Sequence, residues 1–319
     1  MNGPSSEDVY AFWGHEIGVH SNSPAVLGHL RLMYGRFYRG ADAPSSSRDI
    51  GTSPCPRGEI MVTDRLDGAN ELLIRDGYYL YRLFRARGSY YFSSENVRTG
   101  TRDLSGACTP RTLLQASFLR CVSTTARGYH LVHAGAVARG GRGVLFPAMS
   151  NMGKTTLVVK LVTRGFRFLS DEVACFHRET FLLEPFPRKV NLRKNSGELL
   201  GFPLKRLAEI GSLAEEGEEI TVDIEDLVAG SLSGPCPPRY VIFPMGFGET
   251  PRLEPLSRTT ALIHLLRSSI SPIEDPSALM RDFAPLMGNV ACFNLVMGGL
   301  DETADLVSRL VEDGPGRVA

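Results

Sequence analysis

The chain has 319 residues, 43% of them apolar and 22% charged, which suits one large domain or two ordinary ones of ~100–200 residues each. Lys and Arg number 35 and Asp and Glu number 35, so no net basic charge points to nucleic acid or to an acidic membrane surface. No secretory pattern opens the sequence and no apolar run reaches the ~18 residues a membrane-crossing helix needs, so a cytoplasmic protein outside the membrane is expected.

Residues 8–20 are strand-like. A helix is expected to start at Pro24, with Ser23 as its cap and Leu27, Leu30, Leu32 and Met33 on its apolar side. A Ser-, Pro- and Gly-rich loop follows. "EIMVTDRL", "ELLIRDGYYLYRLF" and "SYYFSS" predict an antiparallel meander, with Asp76-Gly77 as a hairpin turn. Residues 1–108 are therefore expected to form a small α+β domain with an antiparallel sheet, and 109–127 a linking helix.

Residues 128–319 change texture to mixed α/β. "LVHAGAVA" and "GVLFPA" are two strands joined by "RGGR". A helix is predicted from Gly153 to about Arg164, then strand-like runs in "FRFLS", "EVACFHRE" and "TFLLEPF". "YVIFPMGF" and "ACFNLVMG" are later buried-type strands, and "TTALIHLLRSS", "SALMRDFAPLMG" and "LDETADLVSRLVED" are helices. The six cysteines, at 55, 108, 121, 175, 236 and 292, form no C-x-x-C pair, so zinc and dithiol signatures are absent.

"FPAMSNMGKTTL" stands between the predicted strand and helix, the context a phosphate-binding loop needs. Its end, Gly153-Lys154-Thr155, fits the pattern G-x-x-x-x-G-K-[ST], while Ala148 replaces the first glycine. Only five of the 35 basic residues are lysine and none precedes Lys154, so a lysine at this position stands out. The backbone N–H groups of Ser150, Asn151, Met152, Gly153, Lys154 and Thr155 would curl around phosphate, Lys154 would neutralise its oxygens, and the Thr155 hydroxyl would face Mg²⁺. The rival is an ordinary helix start. Asp171 lies 17 residues beyond Lys154, with Glu172 next to it, and His133 lies 21 residues before it. That spacing is expected to bring the acidic pair to the end of a strand beside the loop strand. Two adjacent carboxylates there can divide the tasks of binding a metal ion and accepting a hydroxyl proton. Downstream, Arg188, Lys189, Arg193 and Lys194 cluster, as an anion clamp or as a solvated basic loop.

The run "VHAGAVARGGRGVLFPAMSNMGKTTLVVKLVTRGFRFLSDEVACF" resembles the catalytic core of the HPr kinase/phosphorylase superfamily. The likeness is strong over 128–176. "SNSPAVLGHLRLMYGRF", "EPFPRKVNLR" and "PRYVIFPMGF" are similar to divergent HPr-kinase-related proteins encoded near peptide-modification gene clusters. The resemblance implies a compact P-loop kinase domain related to phosphoenolpyruvate carboxykinase, spanning 128–319, and an ATP- and Mg²⁺-dependent kinase. It implies that Ala148, Met149, Ser150, Asn151, Met152, Gly153, Lys154, Thr155 and Thr156 hold ATP, joined by Arg188 and Lys189. Thr155 and Asp171 are the implied metal ligands, and His133, Lys154, Asp171 and Glu172 the implied catalytic set. Glu172 stands where the family carries aspartate, and the family's downstream Gly/Asn-containing signature has no counterpart here. The implied acceptor is a hydroxyl, on serine or threonine of a peptide or protein or on a small molecule. The alternative is a nucleotide-binding recognition subunit of a peptide-modification complex that performs no catalysis. The sequence is compatible with an oligomer.

Overall fold

The computed structural model describes residues 6–41, 57–65, 71–77, 79–86, 89–97, 99–107, 109–148, 152–213, 219–270 and 276–314. The chain separates into two compact units, Met1–Arg127 and Gly128–Ala319, both built from strands and helices.

In the first unit, β1 (Ser6–Phe12) and β2 (His15–Ser21) pair antiparallel as a hairpin. The single strand expected over 8–20 is therefore two. Trp13 and Gly14 turn the chain with φ of 47° and 80°, and a tryptophan gives no turn signal in a sequence. Helix α1 (Pro24–Tyr34) follows, with Pro24 in its first turn, and β3 (Tyr38–Ala41) returns along β1. β4 (Arg57–Arg65) runs parallel to β2. β5 (Glu71–Arg75), β6 (Tyr79–Ala86), β7 (Ser89–Asn96) and β8 (Arg102–Ala107) complete the meander. The sheet order is β3-β1-β2-β4-β5-β6-β7-β8. Most of the Ser/Pro/Gly-rich loop lies outside the described residues.

Helix α2 (Pro110–Thr125) is the helix expected as a link. It begins at Thr109, whose hydroxyl accepts from the N–H of Thr112, and it packs on β2, β4 and β5 of this unit. Its Phe118 is fully buried and its ring meets those of Tyr10, Phe12 and Tyr34. Buried Asp8 is held by a two-pronged ion pair from Arg31, at 2.7 Å from Nε and 2.6 Å from Nη2.

The second unit is organised around β9 (Tyr129–Arg139). Its later half pairs antiparallel with β10 (Arg142–Pro147) across the two-residue turn Gly140-Gly141. Helix α3 (Lys154–Thr163) follows β10. β11 (Arg167–Ser170) and β12 (Val173–His177) then line the other edge of β9, with Val173 opposite His133. The strand that delivers the acidic pair is thus not beside the loop strand, as the spacing predicted. β9 lies between them, because it is long enough to pair along both edges.

β13 (Leu183–Glu184) is all the strand that "TFLLEPF" forms. A small second sheet, β14-β16-β15, comes next, built from β14 (Val190–Arg193), β15 (Ser212–Leu213) and β16 (Glu219–Val222). Helices α4 (Lys194–Leu199) and α5 (Leu204–Ile210) lie between β14 and β15, and α6 (Ile224–Leu227) follows β16. β17 (Pro238–Phe247) runs parallel to β10. β18 (Arg252–Pro255), α7 (Arg258–Arg267), α8 (Pro276–Gly288), β19 (Ala291–Met297) and α9 (Leu300–Asp313) close the chain. β19 is parallel to β17, and the main sheet reads β13-β12-β9-β10-β17-β19-β18.

Both faces of this sheet are covered, so its central strands are continuous apolar runs rather than alternating ones. Val137, Val144, Phe146 and Ile242 pack with Leu157, Leu161 and Val162 of α3 and with Val307 and Leu310 of α9. Ala136, Leu145, Val241 and Phe243 pack the opposite way, with Leu265 of α7 and Phe283 and Leu286 of α8. Burying a side chain of this kind contributes about 1.5–3 kcal/mol relative to leaving it in water, which fixes α3 and the loop before it against the sheet. No helix among the described residues is long and apolar enough to cross a membrane.

Candidate active site at the loop between β10 and α3

The site begins where β10 ends at Pro147 and α3 starts at Lys154. Gly153 precedes the helix with φ 73°, a left-handed conformation that strains any side chain and suits glycine. Gly153 has no side chain with which to cap α3, and no side-chain cap forms among the described residues, so the positive end of the helix dipole stands at the loop. Met149, Ser150 and Asn151, expected in the phosphate cradle, lie outside the described residues. Met152 is half-buried.

Lys154 is 7% exposed, low for a lysine. Its Nζ donates to the Ala148 carbonyl at 2.5 Å and lies 3.1 Å from His133 Nε2. Burial pulls its proton affinity down, to about 8. His133 is lowered as well, first by burial and then by the charge of Lys154. A neutral His133 that accepts from Lys154 at Nε2 carries its own proton on Nδ1. The histidine, 21 residues upstream in the sequence, thereby positions the lysine of the loop.

The acidic pair sits in the tight turn from β11 to β12. Buried Ser170 makes this turn, its Oγ accepting from the N–H groups of Glu172 (3.4 Å) and Val173 (3.1 Å). Asp171 is 1% exposed, and its Oδ2 accepts from the Thr155 hydroxyl at 3.2 Å. Burial raises its carboxyl to about 6, against the opposing charge of Arg188. Arg188 Nη2 also lies 3.4 Å from Asp171 Oδ2 and forms an ion pair with Glu172 Oε2. That guanidinium holds Glu172 below its ordinary value despite burial.

Arg188 reaches the carboxylates because the segment before β14 turns it inward, where it is buried. Its sequence neighbours do not join it. Lys189 is half-buried with no hydrogen bond or ion pair among the described residues, and Arg193 faces Glu219 at 3.8 Å. Thr156 donates to Ser196 Oγ at 3.2 Å, linking α3 to α4. Ser170 and Ser196 were not singled out in the sequence, and a serine hydroxyl that organises a turn or a helix contact leaves no pattern there.

The oxygen donors fit a hard divalent cation. Thr155 Oγ1 and Asp171 Oδ2 are adjacent, and Asp171 Oδ1 is buried with no hydrogen-bond partner among the described residues. An orphaned carboxylate oxygen of this kind costs free energy unless a cation or donor meets it.

No family model matches the chain, and no curated protein matches it. Among solved structures it is similar to the Hpr(Ser) kinase/phosphatase from Coxiella burnetii, over 57% of this chain and 88% of that chain, at 15% identity and a TM-score of 0.31. A likeness of that size does not bear on activity, which rests on the side chains themselves.

Proposed function

We propose that the protein is an ATP- and Mg²⁺-dependent phosphotransferase that moves the γ-phosphoryl group to a hydroxyl, on serine or threonine of a peptide or protein or on a small molecule. The observation that carries this reading is the meeting of two pairs at one helix start, Lys154 with His133 and Thr155 with Asp171, with Glu172 next in the chain. A surface turn or a chance helix start would not bury Lys154, Asp171 and Arg188 together.

Each residue then has a task. The first-turn N–H groups of α3 and Lys154 Nζ bind the polyphosphate. His133, neutral and accepting at Nε2, keeps Lys154 aimed along the loop. The Thr155 hydroxyl and the Asp171 carboxylate would hold Mg²⁺, which when bound neutralises phosphate charge. Glu172 takes the proton of the acceptor hydroxyl as the new oxygen–phosphorus bond forms and the bond to the ADP oxygen breaks. Arg188 orients Glu172 and offsets the paired negative charge. Catalysis of this type is mostly positioning and charge neutralisation.

The test is phosphate transfer from labelled ATP to serine- and threonine-containing peptides and to free hydroxy amino acids. Glu172→Gln should keep ATP binding and lose transfer, and undiminished transfer by that variant contradicts the role of Glu172. One observation favours a second reading. The Arg188–Glu172 ion pair makes Glu172 a weak base, as suits a nucleotide-binding subunit without catalysis. ATP binding with no turnover across the acceptor panel would support it.

A further inference from the structure

We infer that Phe247 is the stacking platform for the base of the bound nucleoside triphosphate. This rests on the phosphate-loop reading and extends it to the other end of the nucleotide.

Phe247 ends β17 and is 69% exposed, an unusual position for a phenylalanine beside a packed sheet. It lies against the loop. A Cβ placed on Gly153 would stand 3.4 Å from Phe247 Cζ and 3.4 Å from Met297 Cε. The exposure is built in by a bulge. The pairing of β17 with β19 shifts between Pro244 and Gly246, where Gly246 takes φ 149°, and then resumes with Phe247 opposite Met297. Bulges beside sites commonly re-aim a side chain in this way. Met245, within the bulge, is 51% exposed.

The strand order fixes which end of the ligand meets Phe247. β10, β17 and β19 are parallel, and ligands bind beyond the carboxyl ends of such strands. Asp171 and Glu172 stand on the β9 side of β10, and Phe247 stands on the opposite side. A nucleoside triphosphate gripped at its phosphates by the loop must point its terminal phosphate to the carboxylates. Its base then leaves toward β17 and β19. Asp171 Oδ1, buried and without a hydrogen-bond partner among the described residues, marks the phosphate end and Phe247 marks the base end. An exposed aromatic face accepts any purine by stacking, and the polarisable thioether of Met297 adds to the surface.

The experiment measures binding of Mg·ATP and Mg·tripolyphosphate to the full chain by calorimetry, for wild type, Lys154→Ala, Phe247→Ala and Phe247→Trp. Phe247→Ala should weaken ATP roughly tenfold and leave tripolyphosphate unchanged, since only ATP carries a base. Phe247→Trp should keep ATP affinity, and its added fluorescence should change with ATP and not with tripolyphosphate. The chain's single native tryptophan, Trp13, belongs to the other unit, so the difference from wild type reports position 247. Tripolyphosphate binding that depends on Lys154, with an unchanged ATP-to-tripolyphosphate ratio in Phe247→Ala, overturns the platform and leaves the loop standing. Binding of neither ligand to wild type overturns the loop and the platform with it.

Discussion

Lys154 Nζ lies 3.1 Å from His133 Nε2, although 21 residues separate them in the chain. The contact joins the helix start after β10 to the middle of β9. It gives the loop lysine a fixed direction through a neutral ring rather than through an opposite charge. A carboxylate in that place would hold the lysine tighter and compete with phosphate for it.

Arg188 is the buried cation between Asp171 and Glu172. Its removal leaves a fully buried carboxylate without its guanidinium. Arg188→Ala is expected to lower stability by about 3–5 kcal/mol, the usual cost of breaking a buried pair from one side. Urea unfolding measures this. Millimolar Mg²⁺ should restore more stability to Arg188→Ala than to wild type, because a second cation can then face Asp171. An unchanged unfolding midpoint would show that Arg188 does not carry this charge balance.

Thr155 and Asp171 should act together on the metal requirement. Thr155→Ala and Asp171→Asn are each expected to raise the Mg²⁺ concentration needed for half-maximal transfer by roughly tenfold or more. Polyphosphate binding without metal should persist in both, since Lys154 and the α3 N–H groups are untouched. Mg²⁺ titration of wild type and variants is the measurement. Identical titrations would remove both residues from the proposed metal site.

His130 is buried, its ring lies tilted against that of Phe283 at a centroid distance of 4.8 Å, and its Nε2 lies 3.1 Å from Asp282 Oδ2. Burial lowers its proton affinity first, and the Arg178 charge lowers it further. The unfolded chain therefore takes up a proton below about pH 6.5 that the folded chain resists. The stability His130 contributes is present above that pH and is lost as pH falls through it toward the lower folded value. Thermal unfolding from pH 7.5 to 5 should show a shallower acid-side decline for His130→Gln than for wild type. Parallel declines would contradict the sign.

Much of the second unit was legible in the sequence. The apolar run of β10, the glycine before Lys154 and the apolar side of α3 placed a strand, a loop and a helix in order. α9 was readable because its buried positions, Ala304, Val307 and Val311, recur at helical spacing. The small sheet of β14, β15 and β16 was not legible. Its strands are too short to show a period, and they are broken by α4 and α5. The place of β9 between β10 and β11 was also hidden, because strand order is decided by pairing between distant segments. Arg188 could not be told from Lys189, Arg193 and Lys194 by sequence. Only the fold turns one member of that basic cluster under the carboxylates and leaves Lys189 and Arg193 elsewhere. The run "YVIFPMGF" predicts a buried-type strand to its end, and the exposure of Phe247 follows a bulge that no local pattern announces.

Under the proposed function, Lys154 and its neighbours bind the phosphates of a nucleotide whose terminal phosphoryl group is transferred. Transfer of label from γ-labelled ATP to a hydroxyl acceptor, compared between the full chain and Lys154→Ala, tests it most directly. Removing one preorganised charge at a phosphoryl site is expected to lower the rate by about 10²–10³-fold, with the Lys154→Ala protein still folded by its thermal unfolding. Transfer by Lys154→Ala at the wild-type rate would remove Lys154 from phosphate binding and sink the proposed reaction at this loop.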